Sequence, residues 1–337
     1  MTAEILCTIG PTSLTAPILQ AFEKLGISLL RVNLSHTELD DVARTIDVIQ
    51  AACSVPICLD TEGAQVRTGS FGALSFLERD SEVLIRGESV SGNQLQFTIT
   101  PPMAVAQLEV GDLLDFDFNG AAGVVTGRSG ADLAVRILCA GEVGSNKGVS
   151  VNRQLDLPAI SQKDEAAIIL ALERNVQHFA LSFCSGARDA ETMRNLIGPK
   201  AKLISKIESI DGIRNVQEIA ELSDALLIDR GDLSRQIELS RIPRTQKYII
   251  QKARESGRPC YVATGFLESM ASDLSPTQSE VSDVWNTLRD RASGIVLAAE
   301  TAVGRHPLEC ATTLSGVMEY YERQGEILDP IGDLGLS

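Results

Sequence analysis

Ionisable and oxygen-bearing side chains gather in five short stretches of this chain. Lys206 and Glu208 stand two apart in LISKIES, and Asp229, Arg230 and Asp232 close an apolar run in ALLIDRGDLS. Asp60, Thr61 and Glu62 end PICLDTEG, with Arg67 just beyond. Arg31, Asn33, Ser35 and His36 lie in LLRVNLSH, and Thr264 and Gly265 end CYVATG. Carboxylates that converge with hydroxyl and carbonyl oxygens suit a hard cation such as Mg²⁺, bound directly and through a substrate. The cations Arg31, Arg67 and Lys206 suit a phosphorylated or carboxylated anion beside that metal. Such a set can position and neutralise a phosphoryl group in transfer, with little covalent work left to the protein. Taken singly, each stretch reads as a strand running into a polar turn. Both signs of charge recurring at five strand ends are much harder to attribute to turns alone.

The elements that must hold these residues alternate between strand and helix. Eight apolar runs rich in β-branched residues occupy 4–10, 27–35, 55–63, 178–183, 202–209, 224–232, 259–265 and 293–301. Amphipathic segments such as LTAPILQAFEKLG and TELDDVARTIDVIQAAC follow most of them, the signature of βαβ units. Their hydrophobicity is continuous rather than alternating, as parallel strands covered on both faces require. Eight units predict an α/β fold, a closed (β/α)8 TIM barrel; an open doubly wound sheet is the alternative. In such a barrel the chemistry sits at the C-terminal mouths of the strands, which is where the five stretches fall. Lys206 and Glu208, two apart on a strand, share a face, here the barrel interior. Burying that pair for structure alone would be expensive.

One region breaks the rhythm. SEVLIRGESVSGNQLQFTIT, GDLLDFDFNGAAGVVTG and LAVRILCAGEV alternate short strands with Gly, Asn and Asp at the spacing of hairpins. They predict a small all-β domain at 70–156, inserted after the third barrel strand, with the barrel formed by 1–69 and 157–322 and a weakly ordered tail at 323–337.

Bulk properties narrow the partners. Over 337 residues the formal net charge is −15, which excludes general nucleic-acid binding through a basic surface. None of the seven cysteines forms a C-x-x-C pair, so buried thiols in a reducing compartment are expected. The opening MTAEILCTIG has no cationic region before a long apolar stretch. No apolar run approaches the roughly 18 residues of a membrane span. These features predict a cytoplasmic protein without membrane or nucleic-acid partners.

The motifs resemble those of the pyruvate kinase family. The likeness runs in order through CTIGPTS, RVNLSHT, LDTEGAQVRTG, GSNKGVSVN, LPAISQKDEAAI, LISKIESIDGIRNVQEIAELSDALLIDRGDLS, ATGFLESMASDLSPTQSEVSDVWNTL and LAAETAVGRHPLE. It implies a phosphotransferase acting on phosphoenolpyruvate and ADP, with the inserted domain as a lid over the nucleotide. By position, Lys206 would stabilise the transferred phosphoryl group, with Arg31 holding phosphate and Thr264 near the proton relay to the enolate. Glu208 and Asp232 would bind Mg²⁺ or Mn²⁺. Gly231 would offer backbone groups to the substrate carboxylate. Arg67, His36, Lys163 and Asn33 would meet the ADP or ATP. Asn33, Ser35, Asp60 and the Thr61 carbonyl resemble a K⁺ site. A homodimer is the implied assembly, built through barrel-to-barrel contacts.

Departures from the family pattern carry their own expectations. DTKGPEIRTG reads DTEGAQVRTG, bringing Glu62, Ala64 and Gln65; Gln65 replaces a glutamate that supports the monovalent ion, which counts against a potassium requirement. ARGDLG reads DRGDLS, so Asp229 replaces alanine in the substrate pocket and Ser234 replaces glycine. ATQMLESM reads ATGFLESM, and SFIR reads SFCS with an arginine lost at Ser185; in the inserted domain DDG reads FNG at 118–120. The chain also stops soon after strand eight, where many members continue into a regulatory α/β domain. Asp229 adds negative charge where a carboxylate should bind, and Gly265 opens space. A lyase, aldolase or mutase acting on a pyruvate-like substrate is thus one competing expectation, and a catalytically silent regulatory paralogue is another. His178 reads as structural, and Trp285 as packing or an inter-subunit contact.

Overall fold

The computed structural model describes residues 3–324 other than 64, 117–119 and 154. The Ala64 replacement, the 118–119 part of FNG and the tail from 325 onward lie outside the described residues. The last helix, Pro307–Gln324, runs past the boundary expected for that tail.

Eight parallel strands close into a barrel: β1 (Glu4–Thr8), β2 (Leu29–Asn33), β3 (Ile57–Asp60), β4 (His178–Leu181), β5 (Lys202–Ile207), β6 (Ala225–Asp229), β7 (Cys260–Ala263) and β8 (Gly294–Leu297). They follow one another around the barrel in chain order, and β1 closes on β8 with Leu6 opposite Val296. The open-sheet alternative is thereby excluded.

Side-chain alternation with period two sorts each strand into two layers. Cys7, Val32, Leu59, Leu203, Ile207, Leu226 and Ile228 join a large core shared with helix residues such as Leu19, Phe22 and Ile46. Leu6, Leu29, Cys58, Ala180, Ile204 and Leu227 form a separate cluster, the apolar filling inside the barrel. Two residues further along each of those six strands the inner layer turns polar: Thr8, Arg31, Asp60, Ser182, Lys206 and Asp229. All six remain buried. Burying a large apolar side chain stabilises by about 1.5–3 kcal/mol, so the apolar layers offset the cost of the polar one above them.

A second compact unit spans 63–158. The boundary expected at 69/70 therefore moves to 62/63, because Arg67–Thr68 pairs with Gln96–Thr100 inside this unit. Its sheet has seven strands, with two more forming a separate pair, and its core includes Phe97 and Phe116 in an edge-to-face contact at 5.4 Å. Two features depart from the hairpin pattern. Glu82–Arg86 and Gln96–Thr100 pair in parallel, since the 87–95 connection is long enough to cross over. Pro102–Gln107 is a short helix begun by proline, a position where a missing N–H costs nothing. Among the described residues no helix is long and apolar enough to cross a membrane. All seven cysteines are free thiols, five of them buried.

Candidate active site

The polar inner layer is held together by charge. Arg31 Nε lies 2.5 Å from Asp60 Oδ2, and its Nη1 donates to Thr8 Oγ1 at 3.0 Å. Lys206 Nζ is 3.4 Å from the same Asp60 oxygen, 2.8 Å from Glu208 Oε1 and 3.9 Å from Asp229 Oδ2. Ser182 stands between them. Its Oγ accepts from Lys206 Nζ at 3.0 Å and donates to the Thr61 carbonyl at 2.6 Å, with Asp60 Oδ1 at 3.3 Å. Buried charges of this kind persist only when paired and hydrogen-bonded. Burial opposes the charge on Lys206, yet Asp60 and Glu208 outweigh it and raise its pKa. Arg31 behaves alike, with Asp60 and Asp229 as its partners.

Three carboxylates meet at the exits of β5 and β6. Oxygens of Glu208, Asp229 and Asp232 lie within 4.8 Å of one another. Burial above all, then Asp232 and Asp229 against the opposing Lys206, pushes Glu208 up to about 8. Asp232 is raised by burial and by Asp229. Burial works against the Asp229 charge too, but Lys206 and Arg31 hold its carboxyl below the usual range. Three oxygen-donor groups, Glu208 and Asp229 buried and Asp232 partly so, fit a hard divalent cation.

The exit of β7 supports this cluster. Thr264 and Gly265 both adopt positive φ, +74° and +80°, a strained conformation for threonine that clusters at functional sites. The turn aims Thr264 Oγ1 at Asp229 Oδ1, 2.7 Å away, while Gly231 N–H donates to the same oxygen at 3.1 Å. A Cβ on Gly231 would sit 2.9 Å from Thr264 Cγ2, so glycine keeps that approach open. Arg230 locks the turn from outside, donating Nε and Nη2 to the Thr264 carbonyl and stacking 4.0 Å above the Phe266 ring. Asp283 completes its pairing at 2.8 Å.

The barrel thus brings together Arg31, Asp60, Thr61, Lys206, Glu208, Asp229, Gly231, Asp232 and Thr264. Asn33 and Ser35 sit at the exit of β2, where Asn33 Oδ1 accepts the Ser35 N–H at 3.0 Å. His36 follows, exposed. Lys163 reaches the same turn, donating Nζ to the Leu34 carbonyl at 2.7 Å and pairing with Glu62 at 3.4 Å. Arg67 belongs to the 63–158 unit, where Nη1 donates to the Asn146 carbonyl at 3.0 Å. Sequence reading passed over Ser182 and Thr8, although parity announced both: each stands two residues beyond an inward apolar residue. It also passed over Asp164, fully buried, whose Oδ1 accepts the Glu62 N–H at 2.7 Å. Trp285 packs edge-to-face on Tyr321 at 4.9 Å.

A family profile described as "Pyruvate kinase, barrel domain" matches residues 1–311. A pyruvate kinase of Clostridium acetobutylicum is 31% identical over 334 residues, covering 95% of this chain and 70% of that protein. One of Mycobacterium tuberculosis is 31% identical over 339 residues, covering 97% and 72%. One of Geobacillus stearothermophilus is 32% identical over 325 residues, covering 92% and 55%.

Proposed function

Since this chain belongs to the pyruvate kinase family, we propose that it transfers a phosphoryl group from phosphoenolpyruvate to ADP, yielding pyruvate and ATP. The observation that carries this reading is the buried Lys206 ammonium at the barrel mouth, beside Asp60, Glu208, Ser182 and Asp229. In the reaction the bond from phosphorus to the enol oxygen breaks and one to a β-phosphate oxygen of ADP forms. Lys206 meets the charge on the moving phosphoryl oxygens, and its four neighbours fix it in place without solvent, where electrostatic stabilisation is strongest. Arg31, oriented by Asp60 and Thr8, holds phosphate. Thr264 Oγ1 stands on the proton path to the enolate carbon, its hydroxyl aligned by Asp229. Gly231, kept free of a Cβ, lets a substrate carboxylate reach the backbone. Asn33, His36 and Lys163 hold the nucleotide, a grouping that the Lys163 contact with the Leu34 carbonyl supports.

Glu208 and Asp232 would hold Mg²⁺ or Mn²⁺, which supplies Lewis-acid neutralisation of phosphate and enolate oxygens. The Asn33, Ser35, Asp60 and Thr61 set is assigned no potassium requirement. Asp60 is already neutralised by Arg31 and Lys206, and the Thr61 carbonyl and Asn33 Oδ1 accept hydrogen bonds from Ser182 and Ser35. The free thiols support a cytoplasmic setting. A coupled assay of pyruvate and ATP formation with Mg²⁺, in K⁺ and in Na⁺, tests the whole. Equal turnover in both salts, falling at least 10³-fold in Lys206→Met, is expected. No ATP from the parent protein would overturn the activity, and turnover only in K⁺ would restore the monovalent site.

A further inference from the structure

Asp229 occupies the donors that a bound carboxylate would need. Its Oδ1 accepts from Thr264 Oγ1 at 2.7 Å and from the Gly231 N–H at 3.1 Å, and its Oδ2 lies 3.9 Å from Lys206 Nζ. The residue is 7% exposed. It closes β6 and continues the inward register of Ala225 and Leu227, so a strand rather than a loop sets its position. Capping of the turn that follows accounts for the Gly231 bond. It does not account for the Thr264 bond, nor for a buried charge turned toward an ammonium.

The chemistry of phosphoenolpyruvate brings a second carboxylate to the same spot. That group is borne on the carbon that carries the phosphate ester, so a phosphate held by Lys206 and Arg31 places it on the donors beside them. Thr264 and Gly231 are those donors, and they are close-set. A Cβ on Gly231 would lie 2.9 Å from Thr264 Cγ2 and 3.3 Å from Asp229 Oδ1. A hydroxyl and a backbone N–H each have one proton to donate, and Asp229 takes both. Two carboxylates brought to one site also repel.

We infer that Asp229 is an internal competitor for the substrate carboxylate, a specificity-determining residue that keeps the affinity for phosphoenolpyruvate low. The inference rests on the phosphotransfer reading above. Substrate gains Thr264 and Gly231 only by taking them from Asp229, an exchange of like hydrogen bonds with little net gain. The displaced carboxylate keeps Lys206 as its partner, and so draws on the ammonium that meets the phosphoryl group. The nucleotide residues Asn33, His36 and Lys163 lie at and around the β2 exit instead, so ADP does not share this cost.

The test is steady-state kinetics of ATP formation with Mg²⁺ in the parent protein, Asp229→Ala and Asp229→Asn. Calorimetric titration of each full chain with phosphoenolpyruvate and Mg²⁺ runs beside it. Asp229→Ala is expected to lower both KM and Kd for phosphoenolpyruvate about tenfold or more, with KM for ADP unmoved and kcat no higher. Asp229→Asn removes the charge but keeps an acceptor on Thr264 and Gly231, so it should fall between the parent and the alanine variant. A merely structural role for Asp229 would raise KM or lower kcat and would not tighten the substrate. Affinities for phosphoenolpyruvate within about threefold of the parent in both variants, or weaker, would overturn the assignment. So would an equal tightening of ADP. Melting curves report whether each variant folds; Asp229→Asn, the closer in shape, carries the test if the alanine does not, with a gain of about threefold or more expected. A parent that makes no ATP, while Asp229→Ala binds phosphoenolpyruvate more tightly, would defeat the phosphotransfer reading and leave the competitor in place. ATP formation with one KM for phosphoenolpyruvate in all three proteins would do the reverse.

Discussion

At the scale of single residues the site is a set of opposed charges bridged by one hydroxyl. Ser182 Oγ links Lys206 to both Asp60 and the Thr61 carbonyl. Ser182→Ala should leave the Lys206 ammonium one acceptor short and cost about 1–3 kcal/mol of stability, read from urea unfolding. Turnover should fall about tenfold as Lys206 loses its fixed direction; an unchanged kcat would count against that bridging role. Glu208 gives a pH prediction. Its carboxyl is pushed from 4.5 up to about 8 in the folded protein, by burial foremost and by Asp232 and Asp229. The folded state therefore keeps this proton to higher pH than the unfolded chain, and the contribution to stability falls as pH rises from about 4.5 toward 8. A divalent cation competes with that proton, so the rise in melting temperature on adding Mg²⁺ should be larger at pH 8.5 than at pH 6.5. The opposite order would show that Glu208 is already ionised without metal.

At the scale of elements, what matters is how strand exits are pinned to the segments around them. Ser161 and Asp164 form a reciprocal capping box at the start of the helix Gln162–Glu173. Asp164 also takes the Glu62 N–H, and the next residue before it, Lys163, takes the Leu34 carbonyl. One helix start thus fixes the exits of β3 and β2 together. Asp164→Ala removes the cap, worth about 1 kcal/mol, and strands the Glu62 N–H, worth about 1–3 kcal/mol more. Denaturant unfolding should show a loss of about 2–4 kcal/mol with an unchanged slope; a loss below about 0.5 kcal/mol would mean that neither bond carries stability. The β7 exit works differently. Its positive-φ pair is held by the Arg230 clamp on the Thr264 carbonyl, so a guanidinium outside the cluster fixes a hydroxyl inside it.

At the scale of the whole chain, the family resemblance implies barrel-to-barrel contacts, and a homodimer of this 36.1 kDa chain is the assembly we propose. Light scattering should return twice the chain mass at neutral pH, and a monomer or tetramer mass would refute it. The barrel itself was legible from the amino-acid order, because eight apolar runs separated by amphipathic segments admit few parallel arrangements. So was the placement of Lys206, Glu208 and Asp232 on one rim, since strand ends at a barrel mouth share it whatever their exact packing. Ser182 and Asp164 were not read out, because a serine after an apolar run and an aspartate after a cap look ordinary until their partners are in place. The parallel pairing of Glu82–Arg86 with Gln96–Thr100 was hidden for the same reason: glycine and asparagine mark a reversal but do not say which neighbour the strand will meet. What the sequence determined by itself was period and order, hence the fold and the rim on which the charges gather. What only the tertiary structure decided was which charge faces which. Alternation assigns a residue to the interior, but barrel closure sets the 4.8 Å that makes Asp229 part of an acidic triad with Glu208 and Asp232.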